Sequence, residues 1–118
     1  MTTAPAFEPM RSESAPVPAC GVEVILRVLD GKWSVLVIRE LLHGPRRFGE
    51  LRKSLAPITA KILTDRLRAF ERQGVLTRQV FAEVPPRTAY RLTPLGQTLV
   101  SVLNAMGEWG DAHRSELL

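Results

Sequence analysis

The chain has little of what several classes of protein require. Of its 118 residues, one is a cysteine and two are histidines. A lone Cys20 excludes an intramolecular disulfide framework and a CxxC redox or zinc motif. The histidines, His43 and His113, lie far apart in the sequence. No metal site and no cofactor is therefore predicted.

Long apolar runs are also absent. The longest strongly apolar stretch, residues 35–38, is far shorter than the roughly 20 residues that span a bilayer. The N-terminus has no charged segment followed by an apolar one, as a secretion signal would. A cytoplasmic location is therefore predicted. The sequence shows no nucleophile–base pair, no paired carboxylates and no glycine-rich phosphate loop, which argues against an enzyme.

Positive charge is concentrated in the middle of the chain. The net charge is +4, but residues 39–91 hold twelve Lys/Arg against five Asp/Glu, and the rest of the chain holds four against seven. Such clustering is typical of a surface that contacts phosphates. The alternative interpretation is an ordinary solvated charged face.

The composition predicts one domain after a short leader. Residues 1–19 contain four prolines among polar side chains, which predicts a disordered leader. Residues 20–118 suffice for one domain with one core. The first predicted helix, about 22–30, has apolar residues at helical spacing.

A helix-turn-helix is predicted for about residues 47–73. A short amphipathic helix ends before Pro57, and a second helix follows with Thr59 at its N-cap and Gly74 just beyond its end. On this second helix, Leu63, Leu67 and Phe70 fall on one side. The polar side chains Lys61, Thr64, Asp65, Arg68 and Arg72 fall on the other.

The polar side of the second helix has the side chains that read base edges in the major groove. Thr64 can contact a thymine methyl, Lys61 and Arg68 can donate to guanine or phosphate, and Asp65 can accept from cytosine. The alternative is a solvated surface with Lys61–Asp65 and Asp65–Arg68 pairs. Arg66 falls on the core side of the helix and is expected to stabilise the fold without contacting bases.

A wing is predicted for about residues 75–93. Two β-prone runs, 75–81 and 88–92, are joined by a connector that contains Pro85 and Pro86. Arg87, placed at the tip, is the best candidate to enter a minor groove; the alternative is a salt bridge to Glu83. The other candidates for phosphate contacts are Arg46, Arg47, Arg52, Lys53, Arg78 and Arg91.

The last predicted helix, about 94–115, adds to an apolar surface that a core this small cannot bury. Thr93 is its predicted cap and Pro94 its first residue. Apolar surface beyond the needs of the core favours self-association. The candidate dimer residues are Val22, Ile25, Leu26, Leu99, Val102, Met106 and Trp109.

Residues 20–109 resemble the HxlR-type family of bacterial winged-helix transcriptional regulators. The resemblance is carried in order by Gly31-Lys32-Trp33, Gly44-Pro45-Arg46-Arg47-Phe48, Leu63-Thr64-Asp65-Arg66-Leu67 and Leu92-Thr93-Pro94-Leu95-Gly96. It implies a mainly α fold with a small β-hairpin, a winged helix-turn-helix with N- and C-terminal dimerisation helices. It further implies a homodimer on an inverted repeat of double-stranded DNA, a repressor more often than an activator. A winged-helix module that binds protein without specific DNA binding is the alternative.

The resemblance also gives Cys20 a role. Family members that sense quinones, aldehydes or hypochlorite use a cysteine just before the first helix, where Cys20 lies, although their usual proline after it is Gly21 here. A helix N-terminus favours the reactive thiolate form. The alternative is a small apolar residue at a dimer seam. A small-molecule or oxidant effector is thus compatible with the sequence, which does not identify it.

Overall fold

Seven helices and three short strands make up residues 20–118, the part of the chain that the computed structural model describes. The leader predicted for residues 1–19 lies outside this part. The helices are α1 Gly21–Val28, α2 Gly31–Leu41, α3 Phe48–Ser54, α4 Ala60–Arg72, α5 Pro94–Gln97, α6 Leu99–Ala112 and α7 Arg114–Leu117. The strands are β1 Arg46–Arg47, β2 Leu76–Phe81 and β3 Arg87–Leu92.

The core lies where α2, α3 and α4 pack against each other and against one side of the sheet. In α2, Val37, Ile38 and Leu41 are fully buried, whereas Trp33 and Val35 are only partly so. Full burial is therefore confined to one face of α2. The remaining core residues are Leu29, Leu51, Leu55, Ile58, Leu63, Leu67, Phe70, Val75, Leu76, Tyr90 and Leu92.

The predicted hairpin is present, and a third strand joins it. β2 and β3 pair antiparallel, with Leu76 opposite Leu92 and Phe81 opposite Arg87. β1 pairs with the other edge of β3, which gives the order β1-β3-β2. The sequence predicted only the two strands of the hairpin, because a strand of two residues is too short to show the alternation of apolar and polar side chains. The predicted fold class, a mainly α winged helix-turn-helix, is confirmed.

Local chemistry fixes both ends of α4. The Thr59 side-chain oxygen accepts a hydrogen bond from the Ile62 amide at 3.1 Å, as an N-cap does. At the other end Gly74 has a φ of 78°, a conformation that glycine adopts without steric cost. The amides of Gly74 and Val75 then donate to the carbonyls of Glu71 and Phe70. These two caps determine where the wing begins.

The single helix expected for residues 94–115 is divided into three. α5 is followed by α6 after Thr98, whose hydroxyl donates to the Leu95 carbonyl. Such back-bonding competes with regular helix geometry. A second interruption at His113 separates α6 from α7. Among residues 20–118, no helix has both the length and the apolar character needed to cross a bilayer.

Candidate nucleic-acid interface

Helix α4 separates its apolar and polar residues onto opposite sides. Leu63, Leu67 and Phe70 are at most 1% exposed and anchor the helix in the core. On the outer side Lys61, Asp65 and Arg68 are exposed and Thr64 is half-buried. The Lys61 Nζ lies 3.2 Å from the Asp65 carboxylate. Arg66, expected on the core side, is half-buried.

The Lys61–Asp65 pair is one of the two pairs that the solvated-face alternative predicts. Both partners are exposed, and such pairs contribute at most about 1 kcal/mol to stability. Phosphates and base edges can therefore replace the partner of either side chain at small cost.

The sheet places further cations beside α4. Arg46 and Arg47 lie in β1, opposite Tyr90 and Ala89 of the central strand. The Arg47 amide donates to the Glu50 carboxylate at 2.8 Å, which closes the first turn of α3. Arg52 and Lys53 are exposed in the last turn of α3. β1 and α3 thus carry the phosphate candidates that precede α4.

Arg87 does not project from the wing tip. It is the first residue of β3, its guanidinium lies 2.9 Å from the Glu83 carboxylate, and it stacks 4.4 Å from the centre of the Phe81 ring. The side chain is 31% exposed. The salt bridge that was the alternative for this residue is therefore the arrangement in the free protein, and a contact with DNA remains a prediction.

Glu71 of α4 and Tyr90 of the wing lie where these two elements meet, and no sequence motif predicts a role for either. Glu71 of α4 approaches the Arg78 Nε of β2 at 3.9 Å. Tyr90 of β3 is 8% exposed, and burial raises the pKa of its hydroxyl, with Glu71 adding to the rise and Arg78 and Arg68 opposing it. Tyr90 alternates with Thr88 and Leu92 on one face of β3, so the sequence pattern indicated only a core residue.

The predicted dimer residues fall into two groups. Val22 and Leu26 of α1 and Met106 and Trp109 of α6 are exposed, and Trp109 is 59% exposed with its ring stacked on His113. By contrast, Ile25 and Leu99 pack against the core and Val102 is half-buried. The first group is an exposed apolar surface, and the second mainly supports the monomer.

Cys20 occupies the N-cap position of α1 and is half-buried. Its carbonyl accepts hydrogen bonds from the amides of Glu23 and Val24 at 3.1 and 3.3 Å. Within residues 20–118, no group of three or more His, Cys, Asp or Glu side chains is arranged to hold a metal ion.

Comparisons with known proteins agree on one family. Residues 28–117 match the family described as HxlR-like helix-turn-helix. The chain is 40% identical to the HTH-type transcriptional regulator YdeP of Bacillus subtilis, over 83% of this chain and 77% of that protein. It is 44% identical to the HTH-type transcriptional regulator sll1512 of Synechocystis, over 77% and 67%.

Solved structures show the same fold. The redox regulator HypR in its reduced form superposes with a TM-score of 0.78 at 38% identity, over 81% of this chain and 95% of that one. The reduced transcriptional regulator YodB from B. subtilis gives 0.71 at 33%, over 80% and 93%. The chain belongs to the HxlR-like helix-turn-helix family and is a transcriptional regulator.

Proposed function

We propose that the chain is a homodimeric, sequence-specific DNA-binding regulator that acts in the cytoplasm, as a repressor in preference to an activator. One observation carries the proposal: α4 presents Lys61, Thr64, Asp65 and Arg68 on one side while its other side is fixed in the core. A helix held in this way can enter a major groove without losing its packing. Phosphate contacts are assigned to Arg46, Arg47, Arg78 and Arg87, with Thr59 at the helix start.

The dimer follows from the exposed apolar residues of α1 and α6. Val22, Leu26, Met106 and Trp109 would lose contact with water if two copies associated through these helices. A two-fold dimer places its two α4 helices on half-sites about 34 Å apart, which predicts an inverted-repeat operator.

The proposal includes a redox response through Cys20. It is supported by the position of the thiol at the N-cap of α1 and by the likeness to HypR, which is named a redox regulator. Because the chain has one cysteine, an oxidant can join it only to the partner subunit's thiol or to a small thiol. Each such disulfide forms as two thiols lose two protons and two electrons to the oxidant.

The experiment is fluorescence-anisotropy binding to the DNA upstream of the chain's own gene, at two salt concentrations, with a random duplex as control. We expect selective binding that weakens with salt, since phosphate neutralisation releases counterions. Weak, salt-insensitive binding to all duplexes would favour a protein-interaction module instead.

The same assay with a thiol oxidant, on wild type and Cys20→Ser, tests the sensor. We expect oxidation to reduce operator binding only in the wild type, together with a dimer band on a non-reducing gel or the mass of a small thiol adduct. A Cys20 that remains a free thiol at modest oxidant doses would contradict this role.

A further inference from the structure

A small cleft separates the outer side of α4 from the wing. Its volume is about 150 Å³. Residues from three elements enclose it: Thr64, Leu67, Arg68 and Glu71 of α4, Arg78 of β2 and Tyr90 of β3.

The cleft combines a tyrosine side chain with two exposed cations. Tyr90 is 8% exposed and lines the cleft, where its hydroxyl can donate a hydrogen bond to a bound oxygen atom. Arg68 and Arg78 are exposed on either side of the cleft. A tyrosine hydroxyl is protonated at neutral pH and can donate a hydrogen bond, and burial raises the pKa of Tyr90 further.

The cleft carries an excess of positive charge, and only one weak ion pair within it competes with an incoming anion. Two guanidinium groups face one carboxylate, that of Glu71, which lies 3.9 Å from the Arg78 Nε. Both partners of this pair are exposed, and exposed pairs at such a distance contribute little to stability. An arriving anion can therefore take Arg78 from Glu71.

We propose that this cleft binds one phosphate of the DNA backbone, with the Tyr90 hydroxyl as donor, Arg68 and Arg78 as counter-charges, and Glu71 as the carboxylate that the phosphate displaces. The inference rests on the proposed DNA-binding function. A helix in the major groove is bordered by the two phosphate backbones, and the cleft lies at the border of α4. Arg68, which the sequence allowed to contact guanine or phosphate, is thereby assigned to phosphate.

The test uses operator duplexes in which one phosphate at a time is replaced by an uncharged methylphosphonate. For the wild type we expect the replacement to weaken binding at each phosphate that the protein contacts. At the phosphate bound in the cleft, the sensitive position, we expect a loss of about tenfold or more, because a hydrogen bond to a charged group is removed there. Tyr90→Phe, which keeps the ring and removes only the donor, should weaken binding to the unmodified operator to a similar extent. When the phosphate at the sensitive position is already replaced, Tyr90→Phe should weaken binding little further.

Two further variants separate the phosphate contact from a loss of folding. Glu71→Gln should bind unmodified DNA several-fold more tightly, a gain that a destabilised fold does not produce, and should lose the gain at the sensitive position. Gln79→Ala is the control, because Gln79 is exposed next to Arg78 in β2 and does not line the cleft. Its effect on binding should be the same whether or not the phosphate at the sensitive position is replaced.

The outcomes distinguish the two proposals. If the wild type binds its operator but Tyr90→Phe and Glu71→Gln respond to every methylphosphonate as the wild type does, the phosphate site is wrong and the regulator proposal stands. If the wild type binds no DNA, both are wrong.

Discussion

Replacing Gly96 by alanine should damage the fold more than its chemical size suggests. A Cβ built at Gly96 would lie 2.1 Å from the Val75 carbonyl oxygen and 3.1–3.2 Å from the Leu92 side chain. The oxygen is backbone and cannot rotate away. It also accepts a hydrogen bond from the Thr93 amide at 3.0 Å. The Thr93 hydroxyl lies 3.1 Å from this oxygen, but its single proton has a shorter hydrogen bond, 2.6 Å, to the Gly74 carbonyl. More than an ångström of movement is needed to reach an ordinary contact.

The magnitude follows from these contacts. Overpacking a tight site costs about 1–3 kcal/mol, and weakening the hydrogen bond from the Thr93 amide adds about 1 kcal/mol. The expected loss of roughly 2–4 kcal/mol is a large part of the stability of a small domain. It corresponds to a fall in Tm of roughly 10–30 °C.

The assay is thermal and urea unfolding followed by circular dichroism at fixed protein concentration, because the proposed dimerisation would make Tm depend on concentration. Gly49→Ala is the control: Gly49 is exposed in α3 and its added Cβ meets nothing within 4 Å. We expect it to change stability by less than about 1 kcal/mol. Equal stability of the two variants would refute the reasoning.

Four other perturbations test the interface and the fold. Lys61→Ala should weaken operator binding by roughly 1–3 kcal/mol and relax its sequence specificity, as measured by fluorescence anisotropy. An equal loss on operator and random DNA would instead make Lys61 a phosphate contact. Arg87→Ala should weaken binding to operator and random DNA equally in the same assay. Trp109→Ala should shift sedimentation towards monomer and weaken operator binding with it, because the indole is exposed in the free chain; unchanged sedimentation would remove Trp109 from the dimer surface. Tyr90 is the chain's single tyrosine, so phenolate absorbance reports it alone. The pKa of Tyr90 is raised in the folded state, so its contribution to stability is complete below the unfolded pKa near 10 and is lost as the pH rises through the folded pKa. Above pH 10, Tyr90→Phe should therefore lose less stability than the wild type. Equal losses would contradict the shift.

The sequence predicted α4 well because several independent signals coincide there. Thr59 and Gly74 mark its ends, and the apolar spacing of Leu63, Leu67 and Phe70 marks its buried side. The structure shows both caps and the same buried side. Each signal is local, and the tertiary contacts reinforce it.

What the sequence could not predict depends on long-range pairing. β1 is a two-residue strand that exists because the edge of β3 is available to pair with it. Tyr90 lines the cleft because β3 is the central strand and pairs with β2, the strand against which α4 packs. The approach of Glu71 to Arg78 joins two elements whose relative positions no local pattern specifies.

Two ion pairs of the interface would let a sequence-specific regulator of the kind proposed carry many cations and still select among sequences. Lys61 and Arg78 each face a carboxylate, that of Asp65 or Glu71, at 3.2 and 3.9 Å. Each acid lowers the local attraction for phosphate in general, so a nonspecific complex gains little. A specific complex recovers the loss because it brings phosphates and base edges close enough to replace the acids. The salt slope of operator binding, about 0.9 per phosphate neutralised, should therefore exceed that of random DNA by the number of these pairs that open.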